Sequence, residues 1–251
     1  MTGFLPRFTA VYLALLFLSI MPARGFCGET ESCPLITLSG VENNDFGTLL
    51  GTLITEIYRE MGYDTEIIYM PGKRGLSMAS AGRIAGVSGR VYAIGEQFPT
   101  LVRVPTPFTV LIGRAFTDRS DIHITDKTDL HRYRVGSLRG IIFSDDLLNP
   151  KNQTLGDSVD QLFRMLIADR IDLALITEVT GTLVAQRDFA GMRIHAEGPV
   201  MASIPVYHYL HESRKDLVPK VDAAIQSLKA RSRLEQIRHN FLGTDLGPVT
   251  N

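Results

Sequence analysis

The stretch from Pro71 to Arg90, PGKRGLSMASAGRIAGVSGR, does most to limit what this chain can fold into. Pro71 and Gly72 end the apolar strand Ile67 to Met70, because proline has no N–H for a ladder and glycine accepts turn geometry. Arg74 to Ala81 then reads as a short helix, and Gly82 as its stop, since glycine takes up left-handed φ without steric cost. Ile84 to Val91 follows as the next strand. A helix set between two strands in so little chain implies a right-handed crossover onto a parallel sheet. Arg74 and Arg90 fall at opposite ends of the helix–strand unit, Arg90 late in its strand. Ligands of parallel α/β sheets bind at the carboxyl ends of strands, which makes Arg90 a candidate contact. For either arginine the alternative is a solvated surface ion pair.

The flanking sequence extends the pattern. Leu35 to Gly40 is a first strand, and Asn43, Asn44 and Asp45 are turn and N-cap residues. A helix from Phe46 to Met61 carries one apolar stripe through Leu49, Leu50, Leu53, Ile54, Ile57 and Tyr58. Asp64 to Met70 is the second strand. Phe98 to Phe108 is extended and punctuated by prolines, and Thr109 to Phe116 is a strong apolar strand. The alternation then restarts: a strand at Tyr133 to Ser137, a turn at Leu138 to Gly140, a helix from Asp157 to Ala168, and the apolar run Ile171 to Thr177, as expected of a strand covered on both faces. Glu178 stands at the carboxyl end of that run. A short helix through Ala185, a strand at Met192 to Ala196, another at Ile204 to Leu210 and a helical C-terminal segment complete the reading.

The chain has 251 residues, 45% of them hydrophobic, which suffices for one large domain or two smaller lobes. A formal charge of −1 argues against a nucleic-acid surface. Arg7 followed by the apolar run Phe8 to Ile20 has the form of a secretory leader, with removal expected after Ala23 or Gly25. Phe26 is too bulky to precede a lipidated Cys27. In an oxidising compartment Cys27 and Cys33 can pair with each other; two thiols in a flexible tail are the alternative. No phosphate-binding glycine loop, nucleophile elbow or other cofactor motif is present. His208, His211 and Glu212 match no metal motif, and His208 and His211 would face opposite sides of a strand.

Taken together, several segments resemble the periplasmic solute-binding proteins of family 3, the amino-acid-type components of ABC importers. They are Pro71-Gly-Lys-Arg74, Gly82-Arg-Ile-Ala-Gly86 leading to Arg90, Phe98 to Pro105, Asp129 to Gly136, Met165 to Asp172 and Tyr207 to Leu210. The resemblance spans Leu35 to Leu242 and points to a divergent branch. It implies an α/β, two-lobed type II periplasmic-binding-protein fold with Thr109–Phe116 and Ile204–Leu210 crossing between lobes. Residues 1–25 would be the leader, 26–112 plus 204–251 lobe 1, and 113–203 lobe 2. Two positions depart from the family: Ala85-Gly86 replaces Asp-Gly, and Glu96-Gln97 lies where a carboxylate-binding Thr-x-x-Arg is usual.

The resemblance implies a monomeric, non-enzymatic protein without cofactor. It would hold a small polar ligand, anionic or zwitterionic, for an inner-membrane ABC permease, or report it to a sensory receptor. Arg90 and Arg139 would grip the anionic group from opposite lobes, since guanidinium holds carboxylate in a bidentate fork. Phe46 would pack on the ligand, or simply begin the helix stripe. Glu178 would accept from a ligand amine, or serve as a helix N-terminal charge. Arg74 would touch the ligand or support its contacts. In a dehydratase-like alternative Glu178 would transfer protons.

Overall fold

Two parallel β–α–β runs account for most of the architecture. The computed structural model describes residues 33–92, 94–139, 143, 147–148 and 153–243. The expected leader, and Cys27 as the expected partner of Cys33, lie outside the described residues. The first run comprises β1 (Leu35–Val41), α1 (Asp45–Glu60), β2 (Asp64–Met70), α2 (Gly72–Ser80) and β3 (Gly86–Val91). A one-turn helix α3 (Ile94–Gln97) and β4 (Leu101–Arg103) lead to the long β5 (Thr109–Thr117). The second run comprises β6 (Val135–Leu138), β7 (Gln153–Gly156), α4 (Val159–Ile167), β8 (Leu173–Thr177) and α5 (Glu178–Asp188). The chain returns along β9 (His195–His211) and ends in α6 (Val218–Ala230) and α7 (Arg233–Leu242).

The strands are ordered β2-β1-β3-β9-β5-β8-β6-β7, with β4 also on β9. β1 pairs in parallel with both β2 and β3, and β6 with both β7 and β8. Between these parallel halves β5 and β9 run antiparallel to each other, from Thr109 opposite Val206 to Thr117 opposite His195. The chain therefore crosses between the halves twice, at the center of the sheet.

α1 forms where its stripe demands it. Leu49, Leu53, Ile54, Ile57 and Tyr58 are fully buried, and Asn44 caps the helix by accepting from the Gly47 N–H at 3.2 Å. The stripe packs with Ile36, Leu38, Val206 and the apolar faces of α6 and α7, which explains why the C-terminal helices fold back onto the first half. Leu76 and Ala79 of α2 cover the opposite face over Val87 and Tyr209. In the second half Leu162, Phe163 and Leu166 of α4 close one face and Ile122, Ile124 and Leu130 the other. Val179 of α5 belongs to the first half's core and Val184 of the same helix to the second's, so α5 is packed against both.

Two differences from the sequence reading have local causes. Met192–Ala196 and Ile204–Leu210 are not two strands: β9 is continuous from His195 to His211. Gly198, with φ +70°, absorbs an irregularity opposite Gly113–Ala115, so the strand continues in place of a turn. β7 has the sequence QTLG and is mostly exposed, so no apolar alternation announced it.

Candidate ligand site

The carboxyl ends of β1, β6 and β8 face one another across the crossing strands, and a cavity of about 540 Å³ opens there. Asn43, Asn44, Asp45 and Phe46 supply one wall from the start of α1. The opposite wall comes from Leu138 and Arg139 after β6, from Asp157, Ser158 and Val159 at the start of α4, and from Thr177, Thr180, Val184 and Arg187 around α5. Leu111 of β5 forms part of the floor. The starts of three helices thus meet at one cleft, where free N–H groups favour negative charge. Carboxylates already answer part of that field. Arg139 Nε lies 3.3 Å from Asp157 Oδ1, with both side chains well exposed. Arg187 lies 3.0 Å from Asp188 and 3.6 Å from Asp45, the latter contact spanning the two walls. Such exposed pairs hold by about 1 kcal/mol or less, so a ligand group can displace them.

Among the residues singled out in the sequence, Phe46 and Arg139 line this cavity from opposite walls. Phe46 is also part of the α1 stripe and only 7% exposed. Arg74 is exposed on the first turn of α2, away from the cavity lining. Glu178 begins α5, and its carboxylate is engaged by Arg238 Nη2 from α7, with both side chains largely buried. Arg238 Nη1 also donates to Val110 O of β5 at 3.1 Å, opposite Pro205, which has no N–H to offer. This arrangement ties α5, α7 and a crossing strand together.

Arg90 lies elsewhere, at the end of β3. Its Nη1 donates to Gly89 O at 2.6 Å, while its Nη2 is buried without a partner. Burial pushes its pKa down to about 10. A residue the sequence reading passed over stands on the other side of β9: Arg103, whose guanidinium carbon lies 3.9 Å from the Tyr92 ring center and 4.5 Å from that of Tyr207. Neither its strand nor its proline-rich surroundings marked it out. Arg187 and Asp45 were also missed, because their meeting depends on how the two halves face each other. His208 is fully buried rather than aimed at a metal. Its Nδ1–H donates to Val87 O at 2.8 Å, which leaves Nε2 to accept from Tyr58 Oη at 3.0 Å. Among the described residues no group of three or more His, Cys, Asp or Glu side chains is set to hold a metal ion.

Comparison with known proteins places the architecture. The probable amino-acid ABC transporter extracellular-binding protein ytmK of Bacillus subtilis superposes with a TM-score of 0.68, covering 86% of this chain and 100% of that one at 16% identity. The chain has the type II periplasmic-binding-protein fold. The same fold relates it to the L-cystine solute receptor of Neisseria gonorrhoeae in its unliganded open conformation, with a TM-score of 0.66, 14% identity, and coverage of 86% and 95%. A histidine kinase sensor domain with similarity to periplasmic binding proteins matches with a TM-score of 0.64, 18% identity, and coverage of 86% and 99%. In sequence, a protein of Shewanella oneidensis described only as uncharacterized is 28% identical over 221 residues, 83% of this chain and 82% of its own length. No protein-family model matches the chain. In this fold the two parallel halves are the lobes, β5 and β9 the crossings, and the cavity the cleft between the lobes.

Proposed function

We propose that the chain is an exported solute-binding protein that closes its two lobes, 26–112 plus 204–251 and 113–203, on a small polar ligand carrying an anionic group. The reading rests on one observation: a cavity of about 540 Å³ walled by both halves of a sheet that the chain crosses twice. Paired crossings act as a hinge, and closure around a solute is the motion such a hinge permits. Phe46 packs on the ligand from lobe 1 and Arg139 reaches it from lobe 2, exchanging its exposed partner Asp157 for a ligand oxyanion. Arg90, at the end of β3, and Arg74, on α2, stand outside the cavity lining and would reach the solute only as the lobes close on it. Glu178 acts through Arg238 at the hinge rather than on the solute. Among the described residues no helix is long and apolar enough to cross a membrane. This agrees with a protein that hands its ligand to a separate inner-membrane ABC permease.

A thermal-shift screen of the secreted protein against amino acids, organic acids and small peptides tests this. A ligand at 100 times its dissociation constant should add about 2.7 kcal/mol, and a chain of this size should then melt about 5–10 °C higher. X-ray scattering should show a smaller radius of gyration in the same sample. Absence of stabilisation and of compaction with every class would overturn the reading. The likeness to a sensor domain over 99% of that domain supports a second reading, a binding protein that reports to a membrane receptor. Affinity capture of membrane partners separates the two, a permease supporting import and a kinase-type receptor supporting sensing.

A further inference from the structure

In the cleft each lining arginine has a carboxylate beside it. Arg90 and Arg103 do not. Buried Nη2 of Arg90 and buried Nη1 of Arg103 lack any hydrogen-bond partner, and neither side chain meets an acid among the described residues. A buried guanidinium without a counter-charge is costly, and an unpartnered buried polar group calls for an explanation. The strand register brings the two together. Arg90 lies opposite Tyr207 on β9, and Arg103 lies opposite Tyr209 from the other side of the same strand. Directly paired residues share a face, and Tyr207 and Tyr209 are two apart, so all four side chains project from one face of the sheet. The irregularity between Val87 and Arg90 inserts one residue into β3 and keeps Arg90 on that face. Arg103 reaches toward the carboxyl end of β3, where its guanidinium carbon lies over the Tyr92 and Tyr207 rings. Aromatic faces stabilise a guanidinium and fix its plane but leave its edge donors unused. Tyr92 is 56% exposed, so the cluster opens to solvent on that side.

We propose that Arg90 and Arg103, framed by Tyr92 and Tyr207, form an anion-binding subsite, and that the solute is a small dianion offering carboxylate or phosphate oxygens. The inference rests on the solute-binding reading above. A monoanion would answer one guanidinium and leave the other unmatched; two negative charges answer both. The unpartnered Nη2 of Arg90 and Nη1 of Arg103 can each donate to an oxygen of either group.

Calorimetric titration of the secreted protein tests this with succinate, glutarate, inorganic phosphate and glycerol 3-phosphate, against glutamine and lysine as zwitterionic and cationic comparators. At least one dianion should bind, and the comparators at least about 30-fold more weakly. The carboxylate and phosphate arms identify which oxyanion the subsite takes. Arg90→Gln and Arg103→Gln should each weaken the bound dianion by about 30-fold or more, as expected for truncating a desolvated charge pair. Arg103→Lys, which keeps the charge but loses the planar guanidinium, should recover only part of the affinity. Unliganded melting temperatures should change little, because no internal ion pair is lost and only the Gly89 O hydrogen bond or the ring contacts are given up. Binding of glutamine or lysine in preference to every dianion would overturn this inference and leave the solute-binding function standing. Unchanged dianion affinity in both glutamine variants would overturn it as well. If no compound of any class binds, both readings fall.

Discussion

Replacing Glu178 with alanine should destabilise the fold without acting on the ligand directly. The carboxylate is paired with Arg238 Nη2, and the two side chains are only 14% and 7% exposed. Removing the acid leaves the Arg238 guanidinium buried with one remaining acceptor, Val110 O at 3.1 Å. Breaking a buried pair in this way costs about 3–5 kcal/mol, and the lower end applies here because a little of each side chain reaches water. A loss of about 3 kcal/mol is a large share of the 5–15 kcal/mol typical of a folded domain. At about 2–4 °C per kcal/mol for a chain of this size, the melting temperature should fall by about 6–12 °C. Replacing both residues with leucine removes the two charges together and should return stability to within about 1–2 kcal/mol of the parent, so the double variant should be about 1–2 kcal/mol more stable than Glu178→Ala. Urea unfolding and thermal melts of Glu178→Ala and the double leucine variant measure this difference. If Glu178→Ala melts within 2 °C of the parent by this ~2–4 °C per kcal/mol scale while ligand affinity collapses, the reasoning is refuted and Glu178 is a ligand contact.

Two further outcomes follow from the packing. Burial lowers the His208 pKa from 6.5 to about 4, so the neutral ring stabilises the fold fully above pH 6.5. That contribution, about 3 kcal/mol, is lost as the pH falls toward 4. Urea unfolding between pH 7.5 and 4 should show the loss, and His208→Gln should flatten it; parallel curves for the two proteins would contradict the assignment. A Cβ at Gly86 would lie 2.1 Å from Tyr209 O and 3.0 Å from Leu210 Cα, backbone atoms that cannot yield without parting β3 from β9. Gly86→Ala should therefore cost about 3 kcal/mol in denaturant unfolding, and a midpoint equal to the parent's would show that the strands can separate there freely.

The parts of this molecule that were legible in its sequence are those built from local periodicity. β2 runs from Asp64 to Met70 as its composition suggested, and the α1 stripe is buried along its length, because a 3.6-residue repeat and a glycine stop leave few alternatives. β7 and the continuity of β9 were not legible. QTLG is held as a strand by β6 beside it, and Gly198-Pro199 reads as a turn unless β5 is present to pair through it. The site divides along the same line. That Phe46 and Arg139 stand after strands could be read from order alone, since α/β sheets gather such residues at one edge. What distinguishes Arg90 from Arg139 is the absence of an acid, and that is a property of the whole fold. Arg103 shows the limit most clearly: in sequence it is one cation among prolines, and it acquires its aromatic frame from Tyr207 on a strand that arrives about a hundred residues later. An arginine's neighbours along the chain say little about whether its charge will be answered. Only the return of β9 between β3 and β4 leaves two guanidinium groups on one face with no carboxylate between them. On the proposed solute-binding reading, the charge of the ligand is therefore read from the unpaired cations rather than from the position where Glu96-Gln97 replaces the usual motif.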